Sequence, residues 1–278
     1  MKGFNASNKF RSLVSVLLLL LMQTAMASQQ PVIVFGILPY LPAEKLVESH
    51  EPLRRQLEET LGRKVVMVTA PNFRLFMKRT LQGEYHYTLT APHLGWLAEK
   101  KGVYVHMLST GHNVQGKFLV NKSSNITNLS QLKGKSVALA APITVVYQMG
   151  IEELDRVGLK ENEDIKIQHV KTINRAMFAT ILETSEASLT GSLLWKNLNK
   201  ETKDKLRVIG ETRLGPGFFF VAHKSRSLQE VQTVKSALLK FNNLPVGRHY
   251  FEDTGLKSFV LVNQSSRQST EEFLKFVN

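Results

Sequence analysis

The chain contains no cysteine in 278 residues. That excludes disulfide staples, which a protein outside the cytoplasm is free to use. It also excludes a lipid anchor, which needs a cysteine at the cleavage site of a leader. A chain of this size buries enough core to do without either. Several catalytic signatures are missing too: no Walker loop, no Gly-x-Ser-x-Gly elbow and no His-Glu-x-x-His motif occurs. The eight histidines are dispersed. In Tyr85-His86-Tyr87, strand alternation sends the histidine to the opposite face from the two tyrosines, so packing explains it better than metal. Short-period repeats and low-complexity segments are absent. After residue 27, no run is long and apolar enough to cross a bilayer, which takes about 20 residues.

What is present begins with a leader. Lys2, Lys9 and Arg11 make a basic start, Leu13 to Met22 an apolar core, and Ala25-Met26-Ala27 a small-x-small cleavage pattern. The expectation is a signal peptide over residues 1–27 and a mature chain starting at Ser28 in a bacterial periplasm. The formal net charge is +13, from 36 Lys and Arg against 23 Asp and Glu, and the three leader cations leave +10. In a cytosolic protein this balance points to nucleic acid. Here the basic residues are scattered and the chain is expected to be exported, so no nucleic-acid partner is expected. The charge either steers an anionic ligand, attracts an anionic surface, or simply solvates the exterior.

The mature sequence alternates short strands and helices. Val32 to Leu38 is an apolar strand run. Leu46, Leu53, Leu57 and Leu61 recur at helical spacing over Glu44 to Leu61, and Gly62 caps that helix. Strands are predicted over Val65–Thr69, Tyr85–Ala91 and Val103–Ser109, with helices at Phe73–Leu81 and from Pro92. After Gly111 the pattern restarts. Strands are predicted at Gly116–Asn121, Ser136–Ala141, Ile165–Val170, Ala187–Thr190, Leu206–Ile209 and Phe218–Ala222. Helices follow at Tyr147–Val157, Asn174–Leu182, Ser227–Phe241 and Thr270–Val277. Such alternation argues for an α/β protein with parallel sheets and right-handed crossovers, divided near Gly111.

Four segments carry a family likeness: Val34-Phe35-Gly36-Ile37-Leu38-Pro39; Glu51-Pro52-Leu53-Arg54-Arg55-Gln56-Leu57 with Leu61-Gly62; Ala70-Pro71-Asn72-Phe73; and Leu129-Ser130-Gln131-Leu132-Lys133-Gly134-Lys135-Ser136-Val137-Ala138. In this order they resemble the phosphate/phosphite/phosphonate-binding (PhnD-like) family of periplasmic solute-binding proteins. The likeness extends over nearly the whole mature chain. It implies a two-lobed type II periplasmic binding protein, each lobe a mostly parallel sheet flanked by helices, joined by two crossover strands. Lobe 1 is expected at 30–110 plus 222–278 and lobe 2 at 112–220, with Val103–Ser109 and Phe218–Ala222 near the hinge.

Ligands of open parallel sheets collect beyond strand carboxyl ends, beside helix N-termini. That rule selects Tyr40, Thr90 and His93 in the first lobe, and Thr144, Thr172, Asn174 and Ser188 in the second. Tyr40 either donates to an oxyanion, stacks on a ring, or packs on the next helix. Thr90 contacts the ligand or caps a helix. His93 reaches the cleft as a donor or lies on the surface. Phosphonate binders of the family carry a Ser-Thr-Ser-Gly loop at a helix N-terminus, and the matching stretch here is Ile143-Thr144-Val145-Val146, which keeps one hydroxyl. The family's histidine after the next strand is also missing, with Thr172 nearby, and the aspartate of a later strand appears as Ser188. The expected function is capture of a small ligand, of the phosphate- or phosphonate-like oxyanion class or related, for a membrane permease of an ABC importer. Given the altered loop, classical phosphonates are expected to bind weakly or not at all. The alternative is a module of the same fold reporting to a membrane sensor. No enzymatic activity, cofactor or metal is expected, and a monomer is.

Overall fold

The computed structural model describes residues 31–277. The expected leader at 1–27 and the start of the mature chain lie outside them. Two sheets organise the fold. The first contains β1 (Ile33–Ile37), β2 (Val65–Val68), β3 (Tyr87–Thr90), β4 (Tyr104–Thr110), β10 (Phe219–His223) and the short β11 (Phe259–Val260), in the order β11-β4-β10-β3-β1-β2. The second contains β5 (Gly116–Asn121), β6 (Ser136–Leu139), β7 (Lys166–His169), β8 (Ala187–Gly191) and β9 (Leu206–Glu211), in the order β7-β6-β8-β5-β9. Three of the strands, β1 at Phe35, β3 at Tyr87 and β10 at Phe220, bury side chains on both faces, as central strands covered by helices do.

Both sheets are mixed. β1 pairs in parallel with β2 and β3, and β6 with β7 and β8. The antiparallel pairs all involve β10 with β3 and β4, β11 with β4, and β5 with β8 and β9. The expected parallel sheets therefore describe the βαβ parts of each lobe. The antiparallel pairs enter mostly because the chain leaves the first sheet through β4 into β5 and returns through β9 into β10, so outgoing and incoming strands run in opposite senses.

The helices follow the apolar spacing. Helix α1 (Ala43–Leu61) buries Leu46, Leu53 and Leu57 together with His50, and ends at Gly62 in the left-handed conformation. α2 (Phe73–Leu81) is capped by Asn72, whose side chain accepts from the Leu75 N–H at 2.9 Å. α3 (Pro92–Lys100) begins with Pro92 at its first turn. In the second lobe α4 (Val145–Arg156), α5 (Ile173–Ile181), and the short α6 (Ser192–Asn197) and α7 (Lys200–Asp204) cover the sheet. α8 (Leu228–Phe241), α9 (Pro245–Thr254) and α10 (Gln264–Gln268) then return to the first lobe. The sequence pattern missed α6, α7, α9 and α10, and the predicted helix over Thr270–Val277 is instead a 3-10 turn over Ser269–Leu274. Among the described residues no helix is long and apolar enough to cross a membrane.

The two connecting segments run side by side. The Thr110 N–H donates to Phe218 O at 2.8 Å, and Val114 and Gly215 exchange hydrogen bonds of 3.0 and 2.7 Å. Gly217 lies where a Cβ atom would come within 2.3 Å of Thr110 O and 2.6 Å of His112 O. Both obstacles are backbone atoms of the opposite segment, so only glycine allows this approach. The C-terminal 3-10 turn adds a second tie between the lobes. The Gln148 side chain of α4 donates to Phe273 O at 2.8 Å, and Arg213 meets Glu272 at 3.1 Å. Gly217→Ala is therefore expected to destabilise the chain by about 2–3 kcal/mol, the cost of overpacking against immobile backbone. Urea unfolding checks it: the midpoint falls while the slope stays constant.

Candidate functional site

The carboxyl ends of β1, β3, β6 and β8 open on one gap between the sheets. Within it lies a cavity of about 60 Å³, lined by residues of both lobes. Leu38, Tyr40, Phe73, His93, Val114 and Phe218 face Thr144, Val145, Ile173 and Leu194 across it. A water needs roughly 10–15 Å³ on this measure, so the space admits about four to six water-sized groups. A second cavity of about 170 Å³ adjoins it, bordered by Pro39, Pro42, Thr69, Pro71, Thr172 and Asn174. Tyr40, Ile173 and Leu194 line both cavities and form the wall between them. Among the described residues no lysine, arginine, aspartate or glutamate lines either one. The gap is narrowed by apolar contact: Ile143, Val145, Met149, Ile173 and Leu194 of the second lobe belong to the same hydrophobic cluster as Leu38, Tyr40 and Phe73 of the first.

The predicted residues divide three ways. Tyr40, His93 and Thr144 meet at the inner cavity, and Tyr40, Thr172 and Asn174 at the outer one. Thr90 and Ser188 line neither. Both are fully buried within their strands with unpartnered hydroxyls, and the lining begins one to three residues later, at Ala91 and Gly191. Leu38, Phe73, Val114, Leu194 and Phe218 were missed, because in sequence an apolar cleft residue carries the same signal as an apolar core residue.

The hydroxyls that reach the gap are mostly committed elsewhere. Thr144 caps α4 by accepting from the Tyr147 N–H at 3.2 Å, and its own proton goes to Ala141 O at 3.1 Å. Thr172 caps α5 by accepting from the Arg175 N–H at 3.2 Å. His93 is not at the surface, as one reading of the sequence had it, but wholly buried. Its Nε2–H donates across the gap to Ile143 O at 2.8 Å, which leaves its Nδ1 without a partner. Burial holds the ring down at about 4, so it is neutral. Tyr40 is buried against Phe218, with ring centroids 5.0 Å apart, and not a rim aromatic. His86 also packs within the protein, its Nδ1 accepting from the Val34 N–H at 2.8 Å. Among the described residues no group of three or more potential metal ligands gathers.

Two α/β lobes with strand ends and helix tips turned toward a shared gap make a type II periplasmic binding protein. A family model for the periplasmic substrate-binding protein of phosphonate ABC transporters matches residues 35–266. The chain belongs to that family, one of transport proteins that bind a substrate. Among solved structures it is similar to PhnD1 from Prochlorococcus marinus in complex with methylphosphonate, with a TM-score of 0.77 and 14% identity, covering 88% of this chain and 97% of that one. It is similar also to a binding protein component of an ABC phosphonate transporter from Pseudomonas aeruginosa (TM-score 0.75, 15% identity, 89% and 87% coverage). The alkanesulfonate-binding protein SsuA from Xanthomonas axonopodis pv. citri bound to MOPS is a third (0.61, 18%, 89% and 93%). No curated protein sequence matches the chain.

Three histidines, His50, His93 and His112, are buried and held at about 3, 4 and 3 by desolvation, against an ordinary value of 6.5. In the unfolded chain they take up protons as the pH falls through 6.5, and in the folded chain they do not. Stability is therefore complete above 6.5 and is lost progressively from there toward 3–4, on the order of 1 kcal/mol per histidine for each pH unit. The melting temperature is expected to be level near pH 7–8 and to fall steadily between pH 6.5 and 4. A level profile down to pH 4 would show that the three rings are not buried neutral.

Proposed function

We propose that this chain captures a small, predominantly apolar and uncharged solute between its lobes, and that the closed form is presented to a membrane permease. The observation behind this reading is the lining: among the described residues no charged side chain borders either cavity, and the Thr144 hydroxyl both accepts from and donates to its own turn. A doubly charged phosphonate brought there gives up its water for no cation and few donors, a loss of several kcal/mol. The lobes in this reading are 30–110 with 222–278, and 112–220, closing about the paired segments at Thr110–Val114 and Gly215–Phe218. The protein acts as a periplasmic monomer after removal of its leader, and performs no chemistry. The ligand contacts are Tyr40, His93 and the apolar residues around them. The replacement of the family's Ser-Thr-Ser-Gly loop by Ile143-Thr144-Val145-Val146 also suits a membrane sensor of the same fold. Finding genes for a permease and an ATPase beside this one would decide for import.

Calorimetric titration with methylphosphonate and inorganic phosphate is expected to give no saturable heat at micromolar concentration. A thermal-shift screen of small neutral ketones, ethers and heterocycles is expected to raise the melting temperature for a subset, by mass action on the folded state. Micromolar affinity for an alkylphosphonate overturns the reading.

A further inference from the structure

Behind the cavity wall lies a buried chain of three polar side chains. The Tyr40 hydroxyl is 2.9 Å from His50 Nε2, and His50 Nδ1 is 2.9 Å from the Tyr250 hydroxyl. His50 and Tyr250 are fully enclosed. Tyr250 packs against Phe241 and Phe251, with ring centroids 5.5 and 5.0 Å away, and borders neither cavity. Tyr40 lines both.

Counting protons fixes what this chain can do. A neutral imidazole has one N–H and one lone pair. Between two phenols it accepts a proton from one and donates to the other, and the phenol that accepts keeps an unused O–H. Burial, which holds His50 at about 3, excludes a doubly protonated ring that donates to both. One of the two phenolic protons is therefore left over. Left at Tyr250 it is sealed among aromatic rings, and an unmade buried hydrogen bond is costly. Left at Tyr40 it sits on the residue that walls the cavities. The second arrangement is favoured: Tyr250 donates to Nδ1, His50 carries its proton on Nε2 and donates to Tyr40, and the Tyr40 O–H is free.

We infer that His50 and Tyr250 are positioning residues that hold Tyr40 as a hydrogen-bond donor at the cleft, and that the ligand therefore carries an acceptor, a carbonyl or ether oxygen, on its apolar body. This rests on the apolar-solute reading above and adds the polar group that such a solute needs. It also gives a role to a histidine outside the cleft: His50 sets the direction in which Tyr40 points its proton.

Two measurements test it. Nitrogen-15 NMR of the histidine rings of the purified protein, without any ligand, reads the His50 tautomer directly. The expected result is a proton on Nε2, and a proton on Nδ1 overturns the relay whatever the cleft binds. The second measurement titrates 2-butanone and 2-methyl-1-butene, which differ only by C=O for C=CH₂, into the wild type and Tyr40→Phe. Tyr40→Phe is expected to weaken the ketone by about tenfold, the worth of one hydrogen bond, and to leave the alkene within twofold. An equal change for both probes overturns the donor role of Tyr40 while leaving the apolar-solute reading intact. Failure of both probes to bind the wild type sinks the apolar-solute reading instead, and the tautomer still decides the relay.

Discussion

The whole arrangement depends on the two connecting segments lying against each other. The hydrogen bonds between Val114 and Gly215, and between Thr110 and Phe218, make the two crossings one short antiparallel ribbon. Because the ribbon enters each sheet through adjacent strands, β4 with β10 and β5 with β9, the carboxyl ends of the parallel strands in both sheets point toward the ribbon and so toward each other. The gap, and the helix tips that face it, are consequences of that constraint. The ribbon is also where the chain changes from one core to the other. His112 fills the corner, with its Nδ1 2.8 Å from Thr110 Oγ1 and its ring 4.9 Å from Phe218. A buried histidine there is neutral, so the crossing adds no charge to the apolar gap beside it.

Much of this was legible in the sequence. Leu46, Leu53 and Leu57 with Gly62 gave one helix, and Phe73–Leu81 was read to the residue, because both carry apolar spacing with clear ends. The continuous apolar runs at Val32–Leu38 and Phe218–Ala222 correspond to central strands of the first sheet. The helix Pro245–Thr254 escaped notice although Pro245 starts it and Gly255 ends it in the left-handed conformation. Gly247 and Arg248 interrupt its apolar pattern, and the segment reads as a loop. The mixed character of the sheets was not legible, since strand direction depends on how the crossings fold back and not on any local residue.

The site was legible in outline and not in chemistry. Helix tips after strands mark Tyr40, His93 and Thr144 correctly as neighbours of a gap. What each polar group does there depends on partners far away in sequence. His93 spends its donor on Ile143 O, 50 residues away, and His50 meets Tyr250 across 200. No spacing rule reaches that distance. The apolar lining is harder still, because Val114, Leu194 and Phe218 satisfy every criterion for core residues, and in the closed cleft they pack as core.

That packing decides what the helix tips can hold. A helix N-terminus carries a partial positive charge and free N–H groups whatever its side chains are. Each tip at this gap has lost part of that donor set: Pro92 has no N–H, Thr144 caps Tyr147 itself, and the Ser192 N–H donates to Gln115 O at 2.8 Å. A fractional charge with few donors left suits a fractional negative charge, as on a carbonyl oxygen. Bringing such an oxygen out of water costs about 1–3 kcal/mol if unpaired, which one hydrogen bond recovers. A full anion costs far more and needs a cation or a complete donor cradle. In the proposed reading the cleft discriminates by charge before it discriminates by shape. Ile143, Val145 and Val146 keep α4 in position while offering an apolar face, and no hydroxyl of their own, beside Thr144.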